Sequence, residues 1–255
     1  DAFEVAGRGE LQLAVLIETM RREGFELGVS RPKVVMQKDP TTGETLEPIE
    51  EVVIDVDDEH SGVVVQKLSE RRADLLEMRP SSAGRTRLVF HAPTRGLIGY
   101  QGELLSDTRG TAVMNRLFHA YAPHKGEIKG RHTGVLISNG AGESVAFAMW
   151  NLEDRGPMMI EVGVKVYEGM IIGEHTRGND LEVNVLKGKK LTNVRASGTD
   201  EAVRLTTPIR MTLEKALAYI QDDELVEVTP ESIRLRKVYL DPNDRKRFSR
   251  ASVDA

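Results

Sequence analysis

Glu51-Val-Val-Ile-Asp-Val56 places Val52, Ile54 and Val56 on one face of a strand, and the order of elements after it decides the fold. Ser61 is placed to cap a helix running to about Arg72, and residues 73–79 read as extended. Thr86-Arg-Leu-Val-Phe-His91 is a second alternating strand. Residues 97–105 read as a short helix and residues 111–118 as a closing strand. The order β-α-β-β-α-β predicts a split βαβ, or ferredoxin-like, domain over residues 48–128.

Upstream, Leu13, Leu16, Ile17 and Met20 recur at helical spacing within residues 10–23, and Gly24 can end that helix in a left-handed cap. Residues 25–35 read as strand material broken by Arg31-Pro32, and Asp39-Pro-Thr-Thr-Gly-Glu44 as a turn-rich boundary. Residues 1–47 therefore read as the second half of a domain of the same type. Downstream of His124-Lys-Gly-Glu-Ile-Lys-Gly130, short strands at 134–138, 144–150, 164–167 and 170–174 alternate with glycine. This spacing predicts a mostly β, barrel-like domain over residues 129–255. Its one main helix runs over 208–220, with Thr207 as cap and Ile209, Leu213, Ala216, Leu217 and Ile220 on one face. Arg245-Lys-Arg-Phe-Ser-Arg250 reads as a frayed basic tail. The fold class is α+β.

A chain of 255 residues accommodates two or three domains, and 40% hydrophobic with 29% charged residues is ordinary globular composition. No apolar run approaches the roughly 20 residues that span a bilayer, and the opening Asp1-Ala-Phe-Glu-Val-Ala-Gly-Arg lacks the features of a signal peptide. The expected setting is cytoplasmic, with no membrane partner. The start on Asp1 reads as a piece of a longer protein. With no cysteine, disulfides and thiolate metal sites are excluded, which suits a reducing compartment. Residues 1–47 carry six basic and nine acidic residues, and residues 231–255 seven basic and four acidic, so the chain grows more basic toward its end.

Most candidate sites read as structural. Gly188-Lys189 mimics the end of a phosphate-binding loop, but Val183 and Lys190 stand where that loop needs glycine and a hydroxyl residue. Gly7-Arg-Gly9 lacks the third glycine of a dinucleotide fingerprint and reads as a turn. Among the six histidines, His119 and His124 are five apart and no H-x-x-x-H occurs, so no metal site is expected. Asp222-Asp-Glu224 reads as a solvated acidic helix end. Trp150 lies in an apolar run and reads as core. No catalytic Ser/His/Asp set can be assembled.

The segment Lys187-Gly-Lys-Lys-Leu-Thr-Asn-Val-Arg195-Ala-Ser-Gly198 stands apart. Residues 183–199 hold no acid, yet Lys187, Lys189, Lys190 and Arg195 fall inside them, in a chain of net charge -5. A solvated loop would show the same charges. The glycines and the hydroxyl or amide donors Thr192, Asn193 and Ser197 favour contact with phosphates. Aromatic residues are missing, so backbone and shape, not base stacking, would be recognised.

Three motifs near the start resemble domain III of translational GTPases of the elongation factor G type: Gly7-Arg-Gly-Glu-Leu11, Met20-Arg-Arg-Glu-Gly-Phe25 and Ser30-Arg-Pro-Lys33. Residues 48–128, with Gly62, Arg71-Arg72 and Gly99-Tyr100, resemble domain V of the same group. Val166-Tyr-Glu-Gly-Met-Ile-Ile-Gly-Glu-His175, Gly188-Lys-Lys-Leu-Thr-Asn193 and Arg195-Ala-Ser-Gly-Thr-Asp-Glu-Ala202 resemble the C-terminal domain peculiar to the BipA (TypA) family. The resemblance implies a ribosome-associated GTPase of stress-adaptive translation and large-subunit assembly. It places GTP and magnesium in an N-terminal domain absent here, leaving no catalytic residue and no cofactor in this chain. It also implies that Lys187, Lys189, Lys190, Thr192, Asn193, Arg195 and Ser197 contact large-subunit rRNA or the acceptor end of an A-site tRNA, with no DNA partner. The alternative is a module that binds another assembly factor through the helix at 208–220.

Overall fold

The structure, a computed structural model, describes residues 2–82, 84–188 and 204–253. Contacts divide the chain into Pro32–Gly130 and a second unit made of Asp1–Arg31 with Arg131–Ala255. The helices in chain order are α1 (Glu10–Arg22), α2 (Ser61–Glu70), α3 (Tyr100–Asp107), α4 (Ala146–Leu152), α5 (Leu213–Tyr219) and α6 (Pro242–Val253). The strands of the first unit are β2 (Gln37–Lys38), β3 (Thr45–Asp57), β4 (Asp74–Ser82), β5 (Arg85–Pro93) and β6 (Val113–Pro123). Those of the second are β1 (Leu27–Ser30), β7 (Gly134–Ser138), β8 (Gly142–Glu143), β9 (Lys165–Val166), β10 (Met170–His175), β11 (Leu181–Val183), β12 (Glu224–Val228) and β13 (Ile233–Lys237).

In Pro32–Gly130 the expected β-α-β-β-α-β order is present as β3-α2-β4-β5-α3-β6. The long strand β3 pairs antiparallel with β5 on one edge and β6 on the other, and β4 lies outside β5. Val52 and Ile54 stand opposite Phe90 and Leu88, and with Val56 they line the face that α2 and α3 cover through Val64, Leu68, Tyr100 and Leu104. Each large side chain removed from water in this way contributes about 1.5–3 kcal/mol. Ser61 is the first residue of α2 and not its cap, because a 3-10 turn at Asp58–His60 precedes it and Ser61 Oγ donates to the Asp58 carbonyl at 2.8 Å. The helix ends at Glu70; just beyond it Arg72 takes a left-handed φ of 64°, and the Ala73 N–H returns to the Leu68 carbonyl at 2.9 Å. Gly96 packs under this end, where a Cβ would stand 2.6 Å from the Arg71 carbonyl oxygen.

The second unit is built on a six-stranded sheet in the order β1-β12-β13-β10-β7-β11. All neighbours are antiparallel except β7 and β11. Both faces are covered, which explains the nearly continuous apolar run of β7 and β10. Val135, Ile137 and Ile171 face α1 and α5, whereas Leu136, Met170 and Ile172 face α4 and the Met158–Ile160 segment. A bulge between Ile171 and Gly173 adjusts the β10 register against β7.

Several expectations are corrected. The mostly β character is present, but the sheet is open among the described residues, with β1 and β11 at its edges. The stretch Asp39–Glu44 is a hairpin turn joining β2 to β3, so the expected boundary at 47/48 falls inside a paired strand. The contacts instead separate Arg31 from Pro32: β1 pairs with β12, while β2 pairs with β3. Residues 144–150, expected as a strand, start α4, rich in the good helix formers Ala and Met. Trp150 is on its outer side and 50% exposed, not in the core. The helix expected over 208–220 shortens to α5, capped by Thr212 rather than Thr207, because the Ile209 N–H is taken by the Met158 carbonyl at 2.8 Å. Residues 245–250 belong to α6 rather than to a frayed tail.

Candidate nucleic-acid interface

The acid-free run begins at the end of β11. There the Asn139 N–H donates to the Val183 carbonyl at 3.0 Å and the Val145 N–H to the Val185 carbonyl at 2.9 Å. Asn184 closes a local turn, its Oδ1 accepting the Leu186 N–H at 2.8 Å. Val183 and Val185 are buried in the same cluster as Leu136 and Ile172, and Leu186 packs against it. Two residues later the chain is in solvent, with Lys187 exposed. Lys187 forms no ion pair among the described residues. Lys189, Lys190, Thr192, Asn193, Arg195 and Ser197 lie outside the described residues.

Where the chain is described again, Leu205 returns to that same cluster. Thr206 fixes the return, since its N–H and hydroxyl both donate to Glu153 Oε1, at 2.6 and 2.8 Å. One core thus holds the residues on both sides of the segment.

Helix α6 meets the outgoing root. Arg245 pairs with Glu182 at 2.9 Å, and Glu182 is the last acid before the acid-free run. That pairing neutralises the carboxylate that precedes the run, and Lys246, Arg247 and the exposed Arg204 are further cations of this unit. Sequence reasoning had these α6 charges only as a tail. The signal was the basic cluster 245–247, but its ion pair spans 63 residues of sequence.

The acidic cluster 222–224 is not uniformly solvated. Glu224 is fully buried between Arg131, at 2.9 Å, and Lys237, at 3.0 Å. Burial opposes its ionised form, but the Arg131 hydrogen bond and the Lys237 charge outweigh burial and hold the carboxyl below its usual range. These groups satisfy one another and leave nothing aimed at a ligand. Donor side chains suited to a metal converge in the other unit, at Glu51, His91 and His119, a grouping that the spacing of the histidines along the sequence does not show.

Known proteins bear on both units. Residues 133–242 match the family described as TypA/BipA C-terminal domain, and residues 44–132 match elongation factor G C-terminus. Proteins named large ribosomal subunit assembly factor BipA are 57% identical in Escherichia coli strain K12, over 100% of this chain and 42% of the relative. The one from Salmonella typhimurium is 56% identical over the same shares, and that from Haemophilus influenzae 52% over 99% and 41%. A solved chain from Thermus thermophilus overlaps 32% of this chain, and 12% of its own length, at a TM-score of 0.31 and 24% identity, too little to bear on the fold. The chain spans about two fifths of the length of the curated relatives it matches. Over that span, with both matches lying end to end in it, the chain belongs to the TypA/BipA family.

Proposed function

We propose that this chain is the ribosome-docking portion of a translational GTPase that acts in large-subunit assembly and in translation under stress, in the cytoplasm. Its segment 187–198 contacts large-subunit rRNA or the acceptor end of an A-site tRNA. Residues 7–33 carry the motifs similar to domain III, and GTP hydrolysis with its magnesium ion is assigned to sequence outside these 255 residues. The observation that carries the reading is the pinning of both roots of an acid-free, four-cation segment to one core. Cations presented this way gain affinity for phosphates through counterion release. The alternative, a helix that recruits another assembly factor, finds less support, because Leu213, Ala216, Leu217 and Ile220 are all buried in the chain's own core.

The test is binding of this chain to purified large subunits at several salt concentrations, with Lys189, Lys190 and Arg195 replaced by Ala. Weaker binding with a flatter salt dependence is expected. Unchanged affinity and slope in the triple variant would remove the segment from the interface.

A further inference from the structure

Glu51 of β3 stands directly opposite His91 of β5 on one side and Leu117 of β6 on the other, so these three side chains share a face. It is the face opposite Val52, Ile54 and Val56 and the two helices. His119 lies two residues beyond Leu117. The register shifts there: Ile49 faces Ala120 and Glu50 faces Phe118, leaving His119 as the extra residue of a bulge. Bulges re-aim a side chain. The His119 ring reaches over the central strand and stacks on His91, with centroids 4.0 Å apart and planes at 30°. The Glu51 carboxylate is 4.0 Å from His91 Nε2, and one donor atom from each of the three residues lies within 4.8 Å of the other two.

We propose that Glu51, His91 and His119 form a site for one divalent transition-metal ion of the zinc class. Two imidazoles and a carboxylate suit zinc, nickel, cobalt or copper, whereas magnesium and calcium take oxygen donors. Zinc bonds of about 2.0–2.2 Å at tetrahedral angles put donors about 3.3 Å apart, so occupancy draws the three side chains together slightly. That closure needs only side-chain rotation. The central strand β3 is paired along both edges and holds the backbones in place, while His119 is exposed and the Glu51 side chain 44% exposed. Asp74, the cross-strand neighbour of His91 on β4, is engaged by Lys125. Three protein donors therefore leave a coordination position for water or for a donor from a bound molecule.

The experiment is calorimetric titration of tag-free, chelator-stripped protein with zinc chloride, alongside His91→Ala, His119→Ala and Glu51→Gln. The expected result is one equivalent bound with a dissociation constant on the order of micromolar. Affinity should fall at least tenfold in each histidine variant, and the ring resonances of His91 and His119 should shift together with the first equivalent. Millimolar magnesium should not displace the zinc. His119→Ala, at an exposed bulge, should keep the metal-free melting temperature of the parent, so that lost binding reads as lost ligation. No binding up to about 1 mM zinc, binding unchanged in either histidine variant, or displacement by magnesium would each overturn the site.

Discussion

Lys237 and Glu224 face one another across the β12–β13 ladder with Nζ 3.0 Å from Oε1, and neither side chain is more than 2% exposed. Asp180 at 2.6 Å and Asp223 at 2.8 Å complete the shell of the lysine, and Arg131 that of the glutamate. Removing one member of a buried pair leaves an uncompensated charge, which typically costs about 3–5 kcal/mol. Lys237→Met should destabilise by that amount in urea unfolding, and Glu224→Gln added to it should recover part of the loss. Equal stability of Lys237→Met and the parent would mean the pair is not structural.

The same pair sets a pH window. Glu224 titrates below its ordinary range in the folded chain, so its contribution is present above the unfolded value of about 4.3 and is lost as pH falls through the folded one. For Lys237, burial disfavours the charge, but the attraction of Glu224 and the hydrogen bonds to Asp180 and Asp223 outweigh it and raise the value. Its contribution is whole below the unfolded value of about 10.4 and is lost as pH rises through the folded one. Stability measured against pH should therefore fall on both the acid and the alkaline side, with a shallower acid limb in Glu224→Gln. An unaltered acid limb would assign that loss to other carboxylates.

Gly96 and Gly62 make opposite predictions for the same substitution. A Cβ at Gly96 meets the Arg71 carbonyl at 2.6 Å, whereas one at Gly62, inside α2, meets nothing within 4 Å. Gly96→Ala should lose about 1–3 kcal/mol through forced backbone movement. Gly62→Ala should be neutral or gain up to about 1 kcal/mol from helix propensity. Thermal unfolding of the two variants side by side reads the difference.

For the basic segment, four cations acting on single-stranded phosphates predict about 50-fold weaker binding between 50 and 200 mM salt. With Lys189, Lys190 and Arg195 replaced by Ala, only Lys187 remains, and the same change of salt should cost about threefold. Glu153→Ala frees Thr206 at the returning root and should weaken RNA binding without changing the salt slope, because no cation is lost. A changed slope in Glu153→Ala would argue against a purely positioning role.

Trp150 is the single tryptophan and is half exposed on α4. Its fluorescence should be quenched readily by acrylamide in the native state. Trp150→Ala should cost well under the about 3–5 kcal/mol of a buried tryptophan. Quenching that appears only on unfolding would restore the core placement expected from the apolar run.

The ferredoxin-like unit was legible because its signals are local. Val52, Ile54 and Val56 alternate within one strand and Leu88 with Phe90 in another, and α2 carries Val64 and Leu68 at helical spacing. In the second unit the same rules failed where both faces are covered. There, Ser144–Trp150 and Gly134–Ser138 are alike as apolar runs, yet one is mostly helix and the other strand, since a short unbroken apolar run carries no period that distinguishes them. The candidate interface was legible as composition, an acid-free run with four cations. Its anchorage through Glu153 and Arg245 was not, because those residues sit 53 and 63 positions from their partners.

By itself the sequence determined the alternation that builds the helix-covered sheet, the absence of thiol chemistry and the charge of segment 187–198. The tertiary structure alone decided where residues 1–31 belong, since Leu27 pairs with Val228 some two hundred residues away. It alone brought His119 onto His91 and Glu51, through a one-residue bulge in β6. Local periodicity reports which face a side chain occupies. Which strand lies alongside, and in what register, depends on long-range burial and backbone pairing that no short window of sequence contains.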